Sequence, residues 1–263
     1  MGVPHFIVVE PNEVDLYAKA CKGTLATVIE LDMSYKRTYE LCDDLGLTKS
    51  TGPGPARNFI WDHSIAHGHE WHWVMDDNIR NFQRTYRNRR IELGDGMGFK
   101  AMEDFVLRYR NIGMAGPNYR MFVPSRSKLS PFVKNTRIYS CNLIRNDLKY
   151  RWRGRYNEDT ILSLDMLKGG WCTVQFNAFL QDKLHTQILG GGNTAEFYAK
   201  EGTLPKSKML VQEHPDVSRL SYRYGREHHF VDYGPFKRLK LILREDVEIP
   251  SDDTYKMKLK RLK

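Results

Sequence analysis

Trp71-His72-Trp73-Val74-Met75-Asp76-Asp77-Asn78-Ile79 is the stretch that decides how this chain reads. An apolar and aromatic run ends abruptly in two carboxylates and an amide. A short run of that kind reads as a buried strand, which places Asp76, Asp77 and Asn78 at its carboxyl end. Ligands of open α/β sheets bind outside the carboxyl ends of strands. Hard oxygen donors at that point suit Mg²⁺ or Mn²⁺ holding a diphosphate. Asp and Asn are also ordinary turn residues, so a plain turn is the competing reading of these residues taken alone.

Working back from that strand, Ala56 to His67 fits a helix that begins after the loop Lys49 to Pro55. Before it, Ser34 to Leu45 reads as helix, Ala26 to Leu31 as strand, Glu13 to Cys21 as helix and His5 to Glu10 as the first strand. This alternation predicts a mainly parallel sheet with right-handed crossovers, flanked by helices. Working forward, Phe99 to Asn111 is expected to be helical, with Met102, Phe105, Val106 and Tyr109 on one face. Val133 to Ile144 is β-like. Asp159 to Lys168 is a helix stopped by Gly169-Gly170, and Trp171 to Phe176 is another strand. Gly190 to Asn193 reads as a flexible loop, Leu239 to Leu243 as a late strand, and Lys256 to Lys263 as a basic tail. Internal repeats and a dividing linker are absent, so a single domain is expected.

The composition agrees with a packed domain. The chain has 263 residues, of which 41% are hydrophobic, enough for a substantial core. It contains no apolar run long enough to span a membrane, and Met1 to His5 does not resemble a signal peptide. Cys21, Cys42, Cys141 and Cys172 are scattered and read as reduced thiols of a cytoplasmic protein. The net charge of +9 favours a polyanionic partner such as nucleic acid and would help hold a nucleotide diphosphate. A solvated surface is the plainer explanation of the same charge.

A second constellation, Gly154-Arg155-Tyr156-Asn157-Glu158-Asp159-Thr160, opens the helix at Asp159. Carboxylates are favoured at a helix amino terminus, so Glu158 and Asp159 read first as caps. The chemical reading is a general base. Transfer of a sugar to a hydroxyl needs a group that takes the hydroxyl proton as the anomeric carbon is attacked, and a carboxylate fixed by a helix start can do this.

Taken in order, these segments resemble a GT-A fold glycosyltransferase: the first strand, Ala56-Arg57-Asn58, the acidic cluster, and Asn-Glu-Asp opening a helix that closes in Lys-Gly-Gly-Trp. The Glu-Asp pair is similar to that of inverting family 2-like enzymes. A closer resemblance is to the TET/JBP-associated glycosyltransferases of phages and larger eukaryotic proteins. Glu10-Pro11, the run Glu213 to Arg219 and the run Tyr224 to Tyr233 look like that family as well, so the likeness extends from Phe6 to Phe236. It implies a GT-A-like, Rossmann-type domain over residues 1–240, with a donor half at 1–100 and an acceptor half at 101–240. A C-terminal strand and basic tail follow at 241–263. It also implies a nucleotide-sugar donor such as a uridine diphosphate sugar, a divalent metal (Mn or Mg), and, for phage members, DNA containing a hydroxymethylated pyrimidine.

Carried over residue by residue, Asp76 and Asn78 flank the positions of the Asp-X-Asp motif, with Asp77 between them. The amide oxygen of Asn78 departs from that motif: it is neutral and a weaker metal ligand than a carboxylate. Glu10 and Arg57 match positions near the nucleotide, and the Arg57 fork suits a phosphate or an acidic group. Asp159 matches the base, with Glu158 supporting it or binding the acceptor. A further metal ligand from a later histidine would come from His185, His214, His228 or His229, and the segment of His228 has the more family-like context.

Arg80, Arg84, Arg87, Arg89 and Arg90 follow the acidic cluster, interleaved with Phe82 and Tyr86. Such a segment suits a phosphate backbone with rings for bases; a solvated helix face reads equally well. The pyrimidine 5-position already points into the major groove, so base flipping is compatible with the chemistry and not demanded by it. Two other functions remain at this point: a glycosyltransferase with a protein, glycan or small-molecule acceptor, and a catalytically idle nucleic-acid-binding module.

Overall fold

The computed structural model describes residues 1–44, 46, 50–183, 204–223, 225–248, 255–257 and 259–260. Strands β1 (His5–Val9) and β2 (Ala26–Glu30) pair in parallel and are connected through helix α1 (Val14–Cys21). Helices α2 (Ser34–Thr38) and α3 (Gly54–Ala66) lead to β3 (Trp71–Met75). Next come β4 (Ile79–Tyr86), β5 (Arg89–Leu93), α4 (Met97–Leu107) and β6 (Ile112–Tyr119). Then follow β7 (Phe132–Lys134), β8 (Cys141–Arg145), α5 (Glu158–Lys168) and β9 (Cys172–Lys183). The chain ends with α6 (Leu204–Glu213), the hairpin β10 (Ser218–Arg223) and β11 (Arg226–Val231), and the short β12 (Leu259–Lys260).

The main sheet runs β12-β5-β4-β9-β6-β8-β3, with β7 beside β9. Within it β6 and β9 are parallel, and the other neighbouring pairs are antiparallel. The expectation of a mainly parallel sheet is therefore corrected: the fold is a mixed α/β domain whose main sheet is mostly antiparallel. The local chemistry explains the difference. After Asp76-Asp77-Asn78 the chain enters β4 directly, with no crossover helix. Arg87 and Asn88 both take positive φ, 49° and 60°, the conformation of a tight hairpin turn, so β5 folds back on β4.

Helices cover both faces. On one side α4 packs Phe99, Met102 and Val106 against Leu93, Leu143, Val174 and Phe176. On the other, Trp61 of α3 and Leu162 and Met166 of α5 pack with Val74, Met114 and Ile144. Alternation along β3 serves both layers. Trp73 meets Phe99 edge-on at 5.0 Å, while His72 faces Trp61 at 5.3 Å. A further cluster joins α5 to α6 through Ile161, Leu164, Met209 and Leu210. Residues beyond 240 return to the sheet: Leu241 and Met257 pack on the α4 side, and β12 pairs with β5.

Some sequence expectations shorten or break. The helix expected over Ser34–Leu45 stops at Thr38, because Tyr39 turns extended and its hydroxyl donates to the Gly154 carbonyl at 2.9 Å. The β-like run Val133–Ile144 is divided by Asn135 and Ser140, both at positive φ. Leu239–Leu243 forms no strand beyond a single bridge from Leu243 to Tyr109. The loop at Gly190–Asn193 and His185 lie outside the described residues. Among the described residues no helix is long and apolar enough to cross a membrane, and the four cysteines are unpaired.

Candidate active site

The acidic turn owes its surroundings to strand register. Ile79 pairs with Lys183, so the end of β9 arrives beside the turn that follows β3. There Lys183 Nζ donates to Asp76 Oδ2 at 2.5 Å and to Ser140 Oγ at 2.8 Å. Ser140 also accepts the Asp76 amide at its carbonyl, 2.7 Å, and its hydroxyl meets the Tyr119 hydroxyl at 2.7 Å. The positive φ of Ser140, 56°, turns these groups toward the site. A non-glycine residue held there is strained, and such strain clusters at functional sites.

Arg57 joins this turn to the second constellation. It is buried on α3 with its guanidinium 4.5 Å over the Trp152 ring. Its Nη2 donates to Asp76 Oδ1 at 2.6 Å and its Nη1 to Glu158 Oε1 at 2.9 Å. Burial would raise the Asp76 pKa, but Arg57 and Lys183 outweigh it and hold the group down to about 2. Glu158 goes the other way: burial raises its pKa, the neighbouring Asp159 and Asp76 add to this, and Arg57 opposes it.

Two devices fix the start of α5. Asn157 takes the left-handed conformation, φ 54°, and its side-chain amide donates to the Lys206 carbonyl at 2.8 Å. Gly154, at φ +89°, sits so tightly that a Cβ there would lie 2.6 Å from Ile161. Between them the fully buried Arg155 side chain pairs with Asp43 at 2.6 Å and donates to the carbonyls of Gly46 and Ser50. Arg155 thereby anchors the loop that leads into α3 and so helps to place Arg57.

Beside Asp159 lies a partly polar, partly aromatic wall. Asp159 Oδ1 accepts the Thr160 amide at 2.7 Å, and Arg137 donates to Thr160 Oγ1 at 3.2 Å. The Arg137 guanidinium lies 4.1 Å over Tyr139, whose ring stacks on Tyr119 at 4.9 Å and neighbours the exposed Phe122. Among the described residues the buried His229 Nδ1 has no hydrogen-bond partner, and the buried Tyr233 hydroxyl faces the Arg137 backbone. The charges of Arg137 and Asp159 act on both groups. Burial, helped by Arg137, pushes His229 down to about 4, so the ring is neutral at pH 7.

Asp76, Arg57 and Glu158, chosen from sequence, thus meet directly, and Asp159 adjoins them. Asp77 is exposed, and the buried Oδ1 of Asn78 has no hydrogen-bond partner among the described residues. Glu10 pairs with Lys36 of α2 rather than with this cluster. His228 accepts a hydrogen bond from Arg226 at 3.1 Å, and its neighbour His229 is the one influenced by Asp159. His214 is buried against Lys168, away from the turn. Arg84, Arg87, Arg89 and Arg90 lie on the β4–β5 hairpin. Arg84 and Arg89 share one face by register, Arg87 is in the turn, and Arg90 is tied to Ser125 and the Arg120 carbonyl. Lys183, Ser140, Tyr119 and Arg137 had no signal in local sequence, since pairing across strands is what brings them in. A cleft of about 500 Å³ on the α2 side shares Trp152 with the site but none of its carboxylates.

Comparison with known proteins adds one match. The family model of TET-Associated Glycosyltransferase covers residues 1–192, which includes Arg57, Asp76, Glu158, Asp159 and Lys183. Searches of curated proteins and of solved structures give no match.

Proposed function

The chain belongs to the TET-associated glycosyltransferase family, and on that basis we propose that it moves a sugar from a nucleotide-sugar donor to the hydroxyl of a 5-hydroxymethyl pyrimidine in DNA. The observation that carries this reading is the Arg57 bridge, which holds Asp76 after β3 and Glu158 at the start of α5 in one buried cluster. A GT-A-like enzyme needs the donor diphosphate at the first point and an acceptor base at the second. In the proposed step the acceptor oxygen attacks the anomeric carbon from the face opposite the leaving group. The carbon–oxygen bond to the diphosphate breaks, its electron pair leaves with the diphosphate, and the hydroxyl proton passes to Asp159. The outcome is inversion. Glu158 positions Arg57 and the acceptor, and a uridine diphosphate sugar is the donor proposed.

DNA as acceptor is supported by three features. The net charge is +9. The wall of Phe122, Tyr139 and Tyr119 with Arg137 offers rings on which a base can stack. The His229 Nδ1, unpartnered among the described residues, offers a hydrogen bond to a base edge. The exposed arginines Arg87 and Arg89, with Arg84 and Arg90, are proposed to follow the phosphate backbone. The test is mass spectrometry of hydroxymethylcytosine and hydroxymethyluracil DNA incubated with a panel of nucleotide sugars. A hexose added to modified DNA and not to unmodified DNA is expected. Transfer to protein or glycan with none to DNA would overturn the acceptor.

A further inference from the structure

A divalent ion at a GT-A diphosphate site needs several hard oxygens that are not already held by the protein's own cations. The residues at the acidic turn do not meet that need. Each Asp76 oxygen already accepts from a cation, Arg57 at 2.6 Å and Lys183 at 2.5 Å, and those two charges repel a divalent ion brought to the remaining lone pairs. Asp77 is exposed, and Asn78 supplies only a neutral amide. Among the described residues, the one group of three acid, thiol or imidazole donors close enough to share an ion is Glu40, Cys42 and Glu213. Arg153 already sits among those three, donating to each.

We propose that Lys183 is the diphosphate-neutralising cation of this enzyme, with Arg57 beside it, in the position where a divalent ion is expected. The inference rests on the nucleotide-sugar reading above. The Lys183 side chain is 10% exposed and is fixed at its head by Asp76 and Ser140. Its backbone is held by pairing with Ile79. Tyr119 in turn holds Ser140. An ammonium so placed binds phosphate as a point charge, and no ion has to be recruited. Asp76 then has a different task from a metal ligand: it keeps two cations side by side that would otherwise repel.

The test is calorimetric titration of the full chain with UDP and with inorganic pyrophosphate, in a chelator and again in Mn²⁺. Equal affinity in the two conditions is expected. Lys183→Ala should weaken binding roughly tenfold or more, the loss expected for a hydrogen bond between charged groups. Lys183→Arg should recover most of that loss, which a merely structural fault would not allow. Binding by the wild type that requires Mn²⁺, or a Lys183→Ala protein that binds as tightly as wild type once Mn²⁺ is present, would overturn the role of Lys183 and leave the donor reading standing. Binding of neither probe in either condition would overturn both.

Discussion

Asp159 and Glu158 are neighbours with different tasks. Glu158 is held by Arg57, whereas among the described residues Asp159 has a single oxygen occupied, by the amide and hydroxyl of the next residue. Asp159→Asn keeps the shape and removes the proton acceptor. Turnover should fall about 10²–10⁴-fold, the usual worth of a general base, with donor affinity nearly intact. A product that keeps the donor's anomeric configuration would place the base elsewhere. His72 supports a separate prediction. It is buried between Trp61 and Asn146, and burial, with the Arg151 charge, lowers its pKa to about 4, against the hydrogen bond to Asn146. Its folded pKa lies below the unfolded value of 6.5. The unfolded chain therefore binds the extra proton, and the contribution is present above pH 6.5 and is lost as pH falls toward 4. Denaturant unfolding followed across that window should show stability dropping with acid. His72→Gln should reduce the slope by about one proton. Of the residues in the site, Asp76, Arg57 and Glu158 were legible because each belongs to a compact local motif. Lys183 and Ser140 were not, because neither has a signature until β4 pairs with β9.

At the level of elements, the amino terminus of α5 is the most constrained piece of the site. Asn157 combines a left-handed backbone with a bond to α6. Asn157→Gly keeps the backbone conformation at little steric cost and loses only the bond, while Asn157→Ala loses the bond and strains the backbone as well. The alanine variant is expected to be less stable than the glycine variant by about 1 kcal/mol, read from unfolding midpoints, and to lose more activity. An alanine variant equal to the glycine one would remove backbone strain from the account. Helix α4 could be read from sequence because its apolar residues recur on one face, and α3 and α5 because a glycine- and proline-rich loop precedes the one and Gly169-Gly170 stops the other. β6 could not, since Gly113, Gly116 and Pro117 interrupt it. A Cβ at Gly116 would fall 2.1 Å from the Cys141 carbonyl, so close strand packing imposes the residue that hides the strand. The β4–β5 hairpin was obscured by its arginines, which read as a solvated surface.

Over the whole molecule, the two ends of β4 divide the labour. The strand has 8 residues, so its arginine turn lies roughly 23 Å from the acidic turn at the usual rise. Phosphates bound there would lie several base pairs from the modified base. Replacing the exposed Arg87 and Arg89 with Ala should lower the slope of log affinity against log salt by about 0.9 for each phosphate that is no longer neutralised. Fluorescence anisotropy of labelled duplex DNA over a salt series measures this, and an unchanged slope would move the DNA to another face. The mixed sheet was not legible in the strand–helix alternation, because β4 follows β3 with no crossover helix and β5 folds back on β4 through a tight turn.

The stacking of Arg57 on Trp152 gives the protein a built-in optical reporter. Trp152 is buried, and its ring carries a positive charge at 4.5 Å whose other contacts are the two carboxylates of the site. Any ligand phosphate that draws Arg57 toward itself changes the field across that indole. Occupancy of the donor site should therefore be visible as a shift in intrinsic tryptophan emission that disappears in Trp152→Phe, without a label and before any sugar is transferred.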